Sequence, residues 1–503
     1  MPGTRLRVLS MFVKWAQDDP MRIFWLAGLA GTGKTSIAIT LCRMLQNDPK
    51  VLFGGAFFCS RTANVTEQTD ARCTIPTLVA SLAVKLPGFA SALTEELNTD
   101  PHAALKPISG QITALLQQPL ATLSRLVSPI VFVVDALDEC SNENDVKKLL
   151  QAISALDCAS MVKFILTSRP ETHISTSPIS SSDRNSIMRL HTIDPDEVTE
   201  DIRLYITDAF MKIPLAKPWY SEAEIKMLSV LSDGLFIFAS TVIAYVLKVQ
   251  SVKGRETRLR TALLAVQESR VAMGPLDAMY DFVLTRASDT AEIEPMELEV
   301  TLKALACILA ARVPLSTGAL ADLLGLELDE LLDSLQRLHA LVHISEEADQ
   351  PSLRTLHASF GDYLFARKHI SVSLGNETLA RGCLNLMGRR LHFNISKIQS
   401  SYEPNAKVKP SSITLSLEYA CMQWIYHVAD MGNPATLDAD LNNMLRPRFI
   451  FWLEVMSLLD RVWRAAAMLL FASSTVSSAS YFAQVLCLRN VVDSARGSLS
   501  ILP

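Results

Sequence analysis

One short stretch, residues 23–36, constrains the fold of this chain more than any other. It reads IFWLAGLAGTGKTS. The five apolar residues at 23–27 predict a buried strand, and the helical spacing of apolar residues after position 35 predicts a helix. Glycines at 28, 31 and 33 stand between them and let backbone N–H groups approach an anion closely. A strand, a glycine-rich loop and a helix in this order predict a binding site for nucleotide phosphates, because the positive end of the helix faces the loop.

Two side chains of the loop are suited to contact the nucleotide and its metal ion. Lys34 is placed to reach the β- and γ-phosphates as a mobile charge, and the Thr35 hydroxyl is placed to ligate Mg²⁺. The predicted nucleotide-binding residues of this loop are Gly28, Leu29, Ala30, Gly31, Thr32, Gly33, Lys34, Thr35 and Ser36.

An acidic segment follows a second apolar run. Residues 130–134 are an unbroken apolar run, which predicts a strand covered by helices on both faces. An acidic residue at the carboxyl end of such a strand lies beside the phosphate loop, where Asp135 would hold Mg²⁺ through its water shell. Asp138 and Glu139 are predicted to orient or polarise a water molecule aimed at the γ-phosphate. Three carboxylates in a loop are also compatible with a solvated surface, but the preceding motif favours the catalytic interpretation.

A further predicted strand, residues 162–166, leads into Thr-Ser-Arg169-Pro. An arginine at a strand end would sense the γ-phosphate or stabilise charge in the transition state. The alternative is a solvated surface arginine.

Composition narrows the class of protein. A chain of 503 residues, 49% hydrophobic and 20% charged, is globular and is expected to hold roughly two to four domains. The net charge is −5, and the chain lacks the excess of lysine and arginine that is typical of nucleic-acid-binding proteins, so no nucleic-acid partner is expected.

The cysteine pattern and the hydropathy of the chain indicate where in the cell the protein is expected. Nine cysteines without any CxxC pair are typical of a reducing environment, and the amino terminus shows no apolar signal region. The apolar run 235–247 is too short to cross a bilayer, and residues 465–488 carry many serines. We therefore expect a cytoplasmic protein with no membrane partner.

The order of patterns along the chain predicts an α/β P-loop NTPase domain with a mainly parallel five-stranded sheet, then a helical lid, a winged-helix module and an all-helical region. The winged helix is expected from a helix at 301–311, helices at 318–324 and 328–340, and strands at 342–344 and 353–356. The predicted boundaries are a leading helix at 1–20, the nucleotide-binding domain at 21–193, the lid at 194–300, the winged helix at 301–370 and the helical region at 371–503.

Taken together, the segments at 24–35, 133–139 and 166–170 resemble the NACHT family of STAND-type signalling NTPases. The chain is most similar to the fungal members described as nephrocystin-3-like N-terminal domains. Residues 233–237 and 356–364 continue the likeness, which extends over most of residues 4–470. Two positions depart from the family pattern: Ala358 stands where an aspartate is common, and Phe236 where a proline often helps to hold adenine.

The resemblance implies a switch controlled by ATP or ADP, with GTP as a further possibility, and by Mg²⁺. Bound ADP would hold the winged helix on the nucleotide domain through His357, the histidine that touches the β-phosphate in the family. Exchange for ATP would open the chain for self-association, in signalling of the kind that serves innate immunity and heterokaryon incompatibility. Fungal relatives commonly carry an effector domain and WD repeats; neither occurs here, so the effector and sensor modules are unknown and the chain is expected to be a fragment or a truncated gene product.

The leading prediction is therefore a signalling switch with slow Mg²⁺-dependent hydrolysis. A DNA-dependent AAA-type ATPase with a winged helix is the main alternative, and a nucleotide-binding scaffold without turnover is another. Against the first alternative, the helix expected to enter DNA, from position 327, carries four acids and one arginine. A small GTPase is disfavoured because the chain has no Asn-Lys-x-Asp motif.

Overall fold

The structure, a computed structural model, describes residues 3–60, 66–123, 128–156, 161–181, 185–213, 218–269, 273–287, 295–344, 353–367, 370–398 and 412–475. The chain divides into two compact units. Unit 1 comprises Met1–Val283 together with His357–Ser359, and unit 2 comprises Leu284–Leu356 together with Phe360–Pro503.

Unit 1 is built around a five-stranded sheet whose strand pairs are all parallel. The strands are β1 (Ile23–Ala27), β2 (Leu52–Phe58), β3 (Ile130–Asp135), β4 (Val162–Ser168) and β5 (Asn185–Arg189), and they lie in the order β2-β3-β4-β1-β5. The predicted parallel sheet is confirmed. β4 lies between β1 and β3, so the residues that follow β4 stand between the phosphate loop and the acidic segment.

Helices cover both faces of the sheet, as the unbroken apolar strands predict. They are α1 (Leu6–Asp18), α2 (Lys34–Gln46), α3 (Thr74–Lys85), α4 (Pro87–Thr99), α5 (Ile108–Gln111), α6 (Gln118–Ala121), α7 (Glu143–Ser154), α8 (Thr172–Ser175) and α9 (Pro178–Ser181), with a π-helical stretch, Ile112–Gln117, between α5 and α6. Alternate side chains of β1 enter different cores: Trp25 joins the core that includes α3, α4 and α7, and Phe24 and Leu26 join the one formed with α1 and α2.

A buried lysine fastens α1 to the sheet. Lys163 on β4 is 3% exposed, and its Nζ donates to the carbonyl oxygens of Trp15, Ala16 and Asp19 at distances of 2.8, 3.0 and 2.7 Å. A cation at the carboxyl end of a helix pairs with backbone carbonyls that have no partner within the helix. Lys163 thereby fixes the helix that precedes β1 and the phosphate loop.

In the described part of residues 194–287, where the sequence predicts a helical lid, the chain forms five helices. They are α10 (Pro195–Met211), α11 (Glu222–Leu231), α12 (Phe236–Leu247), α13 (Val252–Ser269) and α14 (Pro275–Ala287). Asp194 caps α10 through its side chain, and α11 begins with a capping box between Ser221 and Glu224.

Unit 2 is mostly helical. Its elements are α15 (Pro295–Ala310), α16 (Thr317–Leu324), α17 (Leu328–Gln336), β6 (Val342–Ile344), β7 (Leu353–Thr355), α18 (Ala358–Ala366), α19 (Val372–Arg390), α20 (Leu415–Asp430), α21 (Asp438–Leu458) and α22 (Val462–Thr475); the first two residues of α18 belong to unit 1. The strands β6 and β7 pair antiparallel. The helix predicted at 328–340 ends early, at Gln336, because the chain turns through Leu338 and Leu341, which are both buried, to enter β6.

Most of the uncharged stretch at 465–488 lies outside the described residues; α22 covers its beginning. In the part of the chain that the structure describes, no helix has both the length and the apolar character needed to cross a bilayer.

The core of unit 2 contains a buried histidine. His427 on α20 is 0% exposed; its Nε2 lies 2.8 Å from the Tyr419 hydroxyl and its Nδ1 lies 2.7 Å from Asn376 Oδ1. Burial lowers the pKa of His427 to about 3, and the charge of Arg312 acts in the same direction. The folded protein therefore holds this ring neutral at pH values at which the unfolded chain would protonate it.

We expect unit 2 to lose stability as the pH falls from 7 to 5. The unfolded chain binds a proton at His427 below about pH 6.5 and the folded chain does not, so this one residue should lower the free energy of unfolding by about 2 kcal/mol over that interval. Urea unfolding, followed through the fluorescence of the neighbouring Trp424 and Trp452, measures the change. His427→Gln should flatten the pH dependence, whereas the exposed His392→Gln should leave it intact; equal slopes in wild type and His427→Gln would contradict the expectation.

Candidate nucleotide-binding site

The phosphate loop joins β1 to α2 as the sequence predicts. Gly31 and Gly33 adopt φ values of +77° and +90°, which side-chain-bearing residues rarely adopt. Gly33 is the residue before α2, and the helix begins at Lys34. The unpaired N–H groups of the first helical turn therefore belong to residues that follow the glycines directly, an arrangement suited to an anion.

A second helix end packs against this loop. Ile237, in the first turn of α12, donates its N–H to the Gly31 carbonyl oxygen at 3.2 Å. A Cβ atom at position 31 would lie 2.1 Å from Ile237 Cγ2. Gly31 is thus required both by its backbone conformation and by the close approach of α12.

Lys34 lies folded over its own loop. Its Nζ donates to the carbonyl oxygens of Gly28 at 2.8 Å and Leu29 at 3.0 Å. Burial lowers the pKa of Lys34, and the nearby carboxylates, with Asp138 the strongest, oppose that shift. The ammonium group is therefore held at the loop within the field of the acidic segment.

Asp135 ends β3 and is almost completely buried, at 1% exposure. Its Oδ1 accepts a hydrogen bond from the Thr167 hydroxyl, which itself accepts the N–H of Ala136 at 3.0 Å. Burial raises the pKa of the Asp135 carboxyl, and hydrogen bonds from Thr167 and Thr35 act in the opposite direction. The structure thus brings together the two predicted magnesium ligands, Thr35 and Asp135.

These two residues fit a magnesium ion through their chemistry. A hydroxyl and a carboxylate oxygen are the hard donors that Mg²⁺ prefers, and Mg²⁺ usually keeps several of its waters. Because Asp135 is buried and already accepts hydrogen bonds, Thr35 suits direct ligation and Asp135 suits contact through water.

The acidic turn contacts the residue that follows β4. Ala136 adopts a left-handed conformation with φ 56° and starts a short helical turn, Leu137–Glu139. Within it, Asp138 Oδ1 accepts the Arg169 N–H at 2.9 Å, and Arg169 Nε lies 3.1 Å from Asp138 Oδ2. The Asp138 side chain is 4% exposed, and its carboxylate contacts both the backbone N–H and the guanidinium of Arg169.

Most of the predicted site residues line one cavity of about 290 Å³. Its lining includes Ala30, Gly31, Thr32, Gly33, Lys34, Thr35, Ser36, Asp138, Glu139, Arg169 and His357. Gly28, Leu29 and Asp135 are not in its lining; Gly28 and Leu29 belong to the same loop and supply the carbonyls that hold Lys34.

His357 belongs to unit 1, although the chain on both sides of residues 357–359 belongs to unit 2. Its Nδ1 accepts the N–H of Ser359 at 3.1 Å and lies 2.7 Å from the Ser359 hydroxyl, which in turn lies 2.8 Å from the Tyr280 hydroxyl. Since Nδ1 is an acceptor, the proton of the neutral ring resides on Nε2, which makes Nε2 a donor suited to an anion.

Sequence reasoning missed Arg5, which also lines the cavity. It is 6% exposed, its Nη2 donates to the Thr32 carbonyl at 3.3 Å, and its guanidinium lies 5.2 Å from the centroid of the Phe236 ring. Its backbone N–H donates to Asp201 Oδ2 at 3.1 Å, and its Nε lies 3.9 Å from the same oxygen. Among the described residues, Nε and Nη1 have no hydrogen-bond partner. No local pattern marks this residue, because its neighbours come from α10, α12 and the phosphate loop.

Thr167 and Ser168 were also missed as site residues. Ser168 accepts the Gly28 N–H on its carbonyl at 3.2 Å and the Trp25 indole N–H on its hydroxyl at 2.8 Å. Thr167 and Ser168 at the end of β4, and Arg169 directly after it, therefore link the phosphate loop to the acidic turn. Ser168 hydrogen-bonds to Gly28 of the loop, Thr167 hydrogen-bonds to Asp135, and Arg169 pairs with Asp138.

A glycine loop at a helix start, a lysine over it, a buried aspartate hydrogen-bonded to the first-turn threonine and a parallel sheet together define a P-loop NTPase domain. Residues 3–169 match the sequence model of the family described as nephrocystin 3, N-terminal. The vegetative incompatibility protein HET-E-1 of Podospora anserina is 22% identical over 491 residues, which cover 89% of this chain and 34% of that protein. The chain therefore carries a P-loop NTPase domain whose sequence is similar to that family, and it spans about a third of the length of the curated relative it matches.

Two solved structures show a distant likeness. The STAND protein with a tetratricopeptide repeat sensor from Pyrococcus horikoshii is 15% identical, with a TM-score of 0.36, over 96% of this chain and 59% of that one. Cdc6p from Pyrobaculum aerophilum is 12% identical, with a TM-score of 0.35, over 73% of this chain and 95% of that one.

Proposed function

We propose that this chain is a nucleotide-controlled signalling switch of the NACHT type. It binds ADP or ATP with Mg²⁺, hydrolyses the triphosphate slowly and self-associates when the triphosphate replaces ADP. The observation that carries the proposal is that the phosphate loop, the acidic turn, Arg169 and His357 line the same cavity.

In this proposal each residue has a defined task. Backbone N–H groups of the loop and the ammonium of Lys34 hold the phosphates, and Thr35 with Asp135 holds Mg²⁺. The metal, when bound, neutralises phosphate charge. Glu139, which lines the cavity and is half-buried, orients the attacking water, while Asp138 positions Arg169 to stabilise charge on the phosphoryl group.

Two measurements test the proposal: the identity of the nucleotide bound to the purified chain, and the particle mass of the protein with each nucleotide. We expect ADP to co-purify and the particle mass to rise when ADP is replaced by a non-hydrolysable ATP analogue with Mg²⁺, as measured by mass photometry. A chain that binds neither ADP nor ATP in titration would refute the switch.

A substitution at Glu139 should slow ATP hydrolysis without weakening ATP binding. Glu139→Gln is expected to lower the single-turnover rate of ATP hydrolysis by about tenfold or more while leaving ATP affinity within about twofold, because the amide keeps the shape but cannot accept a proton. Glu143→Gln, at the exposed start of α7, is the matched control. Equal rates in wild type and Glu139→Gln would favour a nucleotide-binding scaffold without turnover.

His357 is expected to favour the ADP-bound state. His357→Ala should weaken ADP binding by about tenfold, which corresponds to about 1.4 kcal/mol, through loss of a donor to the phosphates. It should also let the chain self-associate at lower concentrations of the ATP analogue. The exposed His392→Ala should change neither quantity; unchanged ADP affinity in His357→Ala would remove this residue from the proposed switch.

DNA is not expected to be a partner. The acidic residues at 327, 329, 330 and 333 at and within α17 are all exposed and would repel phosphates. A gel shift with generic duplex DNA should show no complex, and a shift at physiological salt would favour a DNA-dependent ATPase instead.

A further inference from the structure

Two cysteines meet beside the acidic turn. Cys59 directly follows β2, and Cys140 directly follows the helical turn Leu137–Glu139. Their Sγ atoms lie 3.1 Å apart, although 81 positions separate the residues in the chain. Both are free thiols in the structure, with exposures of 4% and 7%.

The backbone around β3 holds both sulfurs in place. Phe58 pairs with Asp135 in the sheet register, and the Cys59 N–H then donates to the Asp135 carbonyl at 3.0 Å. The Cys140 N–H donates to the Leu137 carbonyl at 3.3 Å and closes the turn. Both cysteines are therefore anchored within a few residues of the end of the same strand, so their proximity follows from the fold.

We propose that Cys59 and Cys140 form a reversible thiol–disulfide site that small hydroperoxides oxidise. One thiol sulfur attacks the peroxide oxygen, which breaks the O–O bond, forms a sulfenic acid and releases water. The second thiol sulfur then attacks the sulfenic sulfur, and a second water leaves. In sum, two thiols and one hydrogen peroxide give one disulfide and two waters, with two electrons passing from sulfur to oxygen.

Closing the bond requires a small movement. A disulfide has an S–S distance of about 2.05 Å, so the sulfurs must approach by about 1 Å. The cross-link would join the end of β2 to the turn that bears Asp138 and Glu139. The hydrogen bond with Cys140 and burial both raise the pKa of the Cys59 thiol, so the oxidation is slow. Burial also keeps bulky thiol reagents from both sulfurs, which leaves a small oxidant such as hydrogen peroxide as the reactant. The chemistry of the pair does not depend on the proposed nucleotide switch.

Peptide mapping of the full chain tests the site. The reduced protein is treated with hydrogen peroxide, free thiols are blocked with a maleimide after denaturation, and peptides are identified by mass spectrometry. We expect the peptides that contain Cys59 and Cys140 to appear joined, to separate on reduction with dithiothreitol, and the other cysteines to carry the maleimide. Oxidation in urea should instead scatter the pairings, because the fold no longer holds the sulfurs together.

Thermal unfolding supplies a second readout. Peroxide should raise the melting temperature of the wild type, and dithiothreitol should reverse the rise. Peroxide should not raise the melting temperature of Cys59→Ala or Cys140→Ala. Cys42 is a half-buried cysteine on α2, so Cys42→Ala is the matched control and should respond as the wild type does. Maleimide on both Cys59 and Cys140 after peroxide treatment of the folded wild type would overturn the proposal. Pairing of either cysteine with a third one at equal yield would overturn it as well.

Discussion

Lys34→Met is expected to lower the affinity for ATP and ADP by about a hundredfold, which corresponds to about 2.7 kcal/mol. The reason is that the substitution removes the ammonium group that lies over the phosphate loop, within 3.0 Å of the carbonyls of Gly28 and Leu29. A charge-assisted hydrogen bond to phosphate in a partly buried site is among the stronger contacts a side chain makes. Methionine keeps the unbranched apolar stem of the side chain and lacks only the ammonium end, so the fold should persist.

Fluorescent-nucleotide titration and isothermal calorimetry measure this loss, and circular dichroism checks the fold. Lys50→Met is the matched control, because Lys50 is exposed in the turn between α2 and β2, away from the phosphate loop. Its affinity should equal that of the wild type. An affinity of Lys34→Met within about twofold of the wild type would contradict the assignment of this loop to phosphate binding.

Gly31→Ala is expected to cost both stability and nucleotide binding. The new methyl group would lie 2.1 Å from Ile237 Cγ2, on a backbone with φ +77°. The loop or the start of α12 must therefore shift, at a cost of roughly 2–4 kcal/mol in the free energy of unfolding. A displaced loop no longer presents its N–H groups correctly, so we expect nucleotide affinity to fall as well.

Two further variants separate the stability lost through the clash with Ile237 from the stability lost through the positive φ of the backbone. Gly33→Ala has a similar φ of +90°, but its methyl group would lie 3.8 Å from the nearest side-chain atom, Phe236 Cδ2, so it should lose only about 1 kcal/mol of stability. Ile237→Ala in the Gly31→Ala background should recover part of the lost stability, because it removes Cγ2, the nearer of the two Ile237 atoms that clash, and leaves Cβ at 2.9 Å. Equal losses at both glycines, or purely additive effects with Ile237→Ala, would show that α12 does not press on the loop.

The sheet and the phosphate loop could be predicted from the sequence. Strands covered on both faces are mostly apolar, and this property identified residues 23–27 and 130–134 without knowledge of their neighbours. Residues 162–166 were predicted as a strand although Lys163 interrupts the apolar run. Helix ends were less well predicted. The helix from Leu328 stops at Gln336 because buried contacts at Leu338 and Leu341 favour a turn, and such contacts come from packing.

The contacts that complete the candidate site could not be predicted in this way. The pairing of Asp138 with Arg169, the position of Arg5 and the contact between Gly31 and Ile237 each join residues far apart in the chain. Phe236 was noted only as a departure from a family pattern, and the structure places its ring beneath the Arg5 guanidinium.

The sequence by itself determined the chemistry of the phosphate loop, since glycines, a lysine and a threonine at fixed spacing act through local backbone geometry. Only the tertiary structure decided which side chains face that loop. The insertion of β4 between β1 and β3 places Thr167, Ser168 and Arg169 between the loop and the acidic turn. Strand order depends on long-range packing, and no spacing within one segment encodes it.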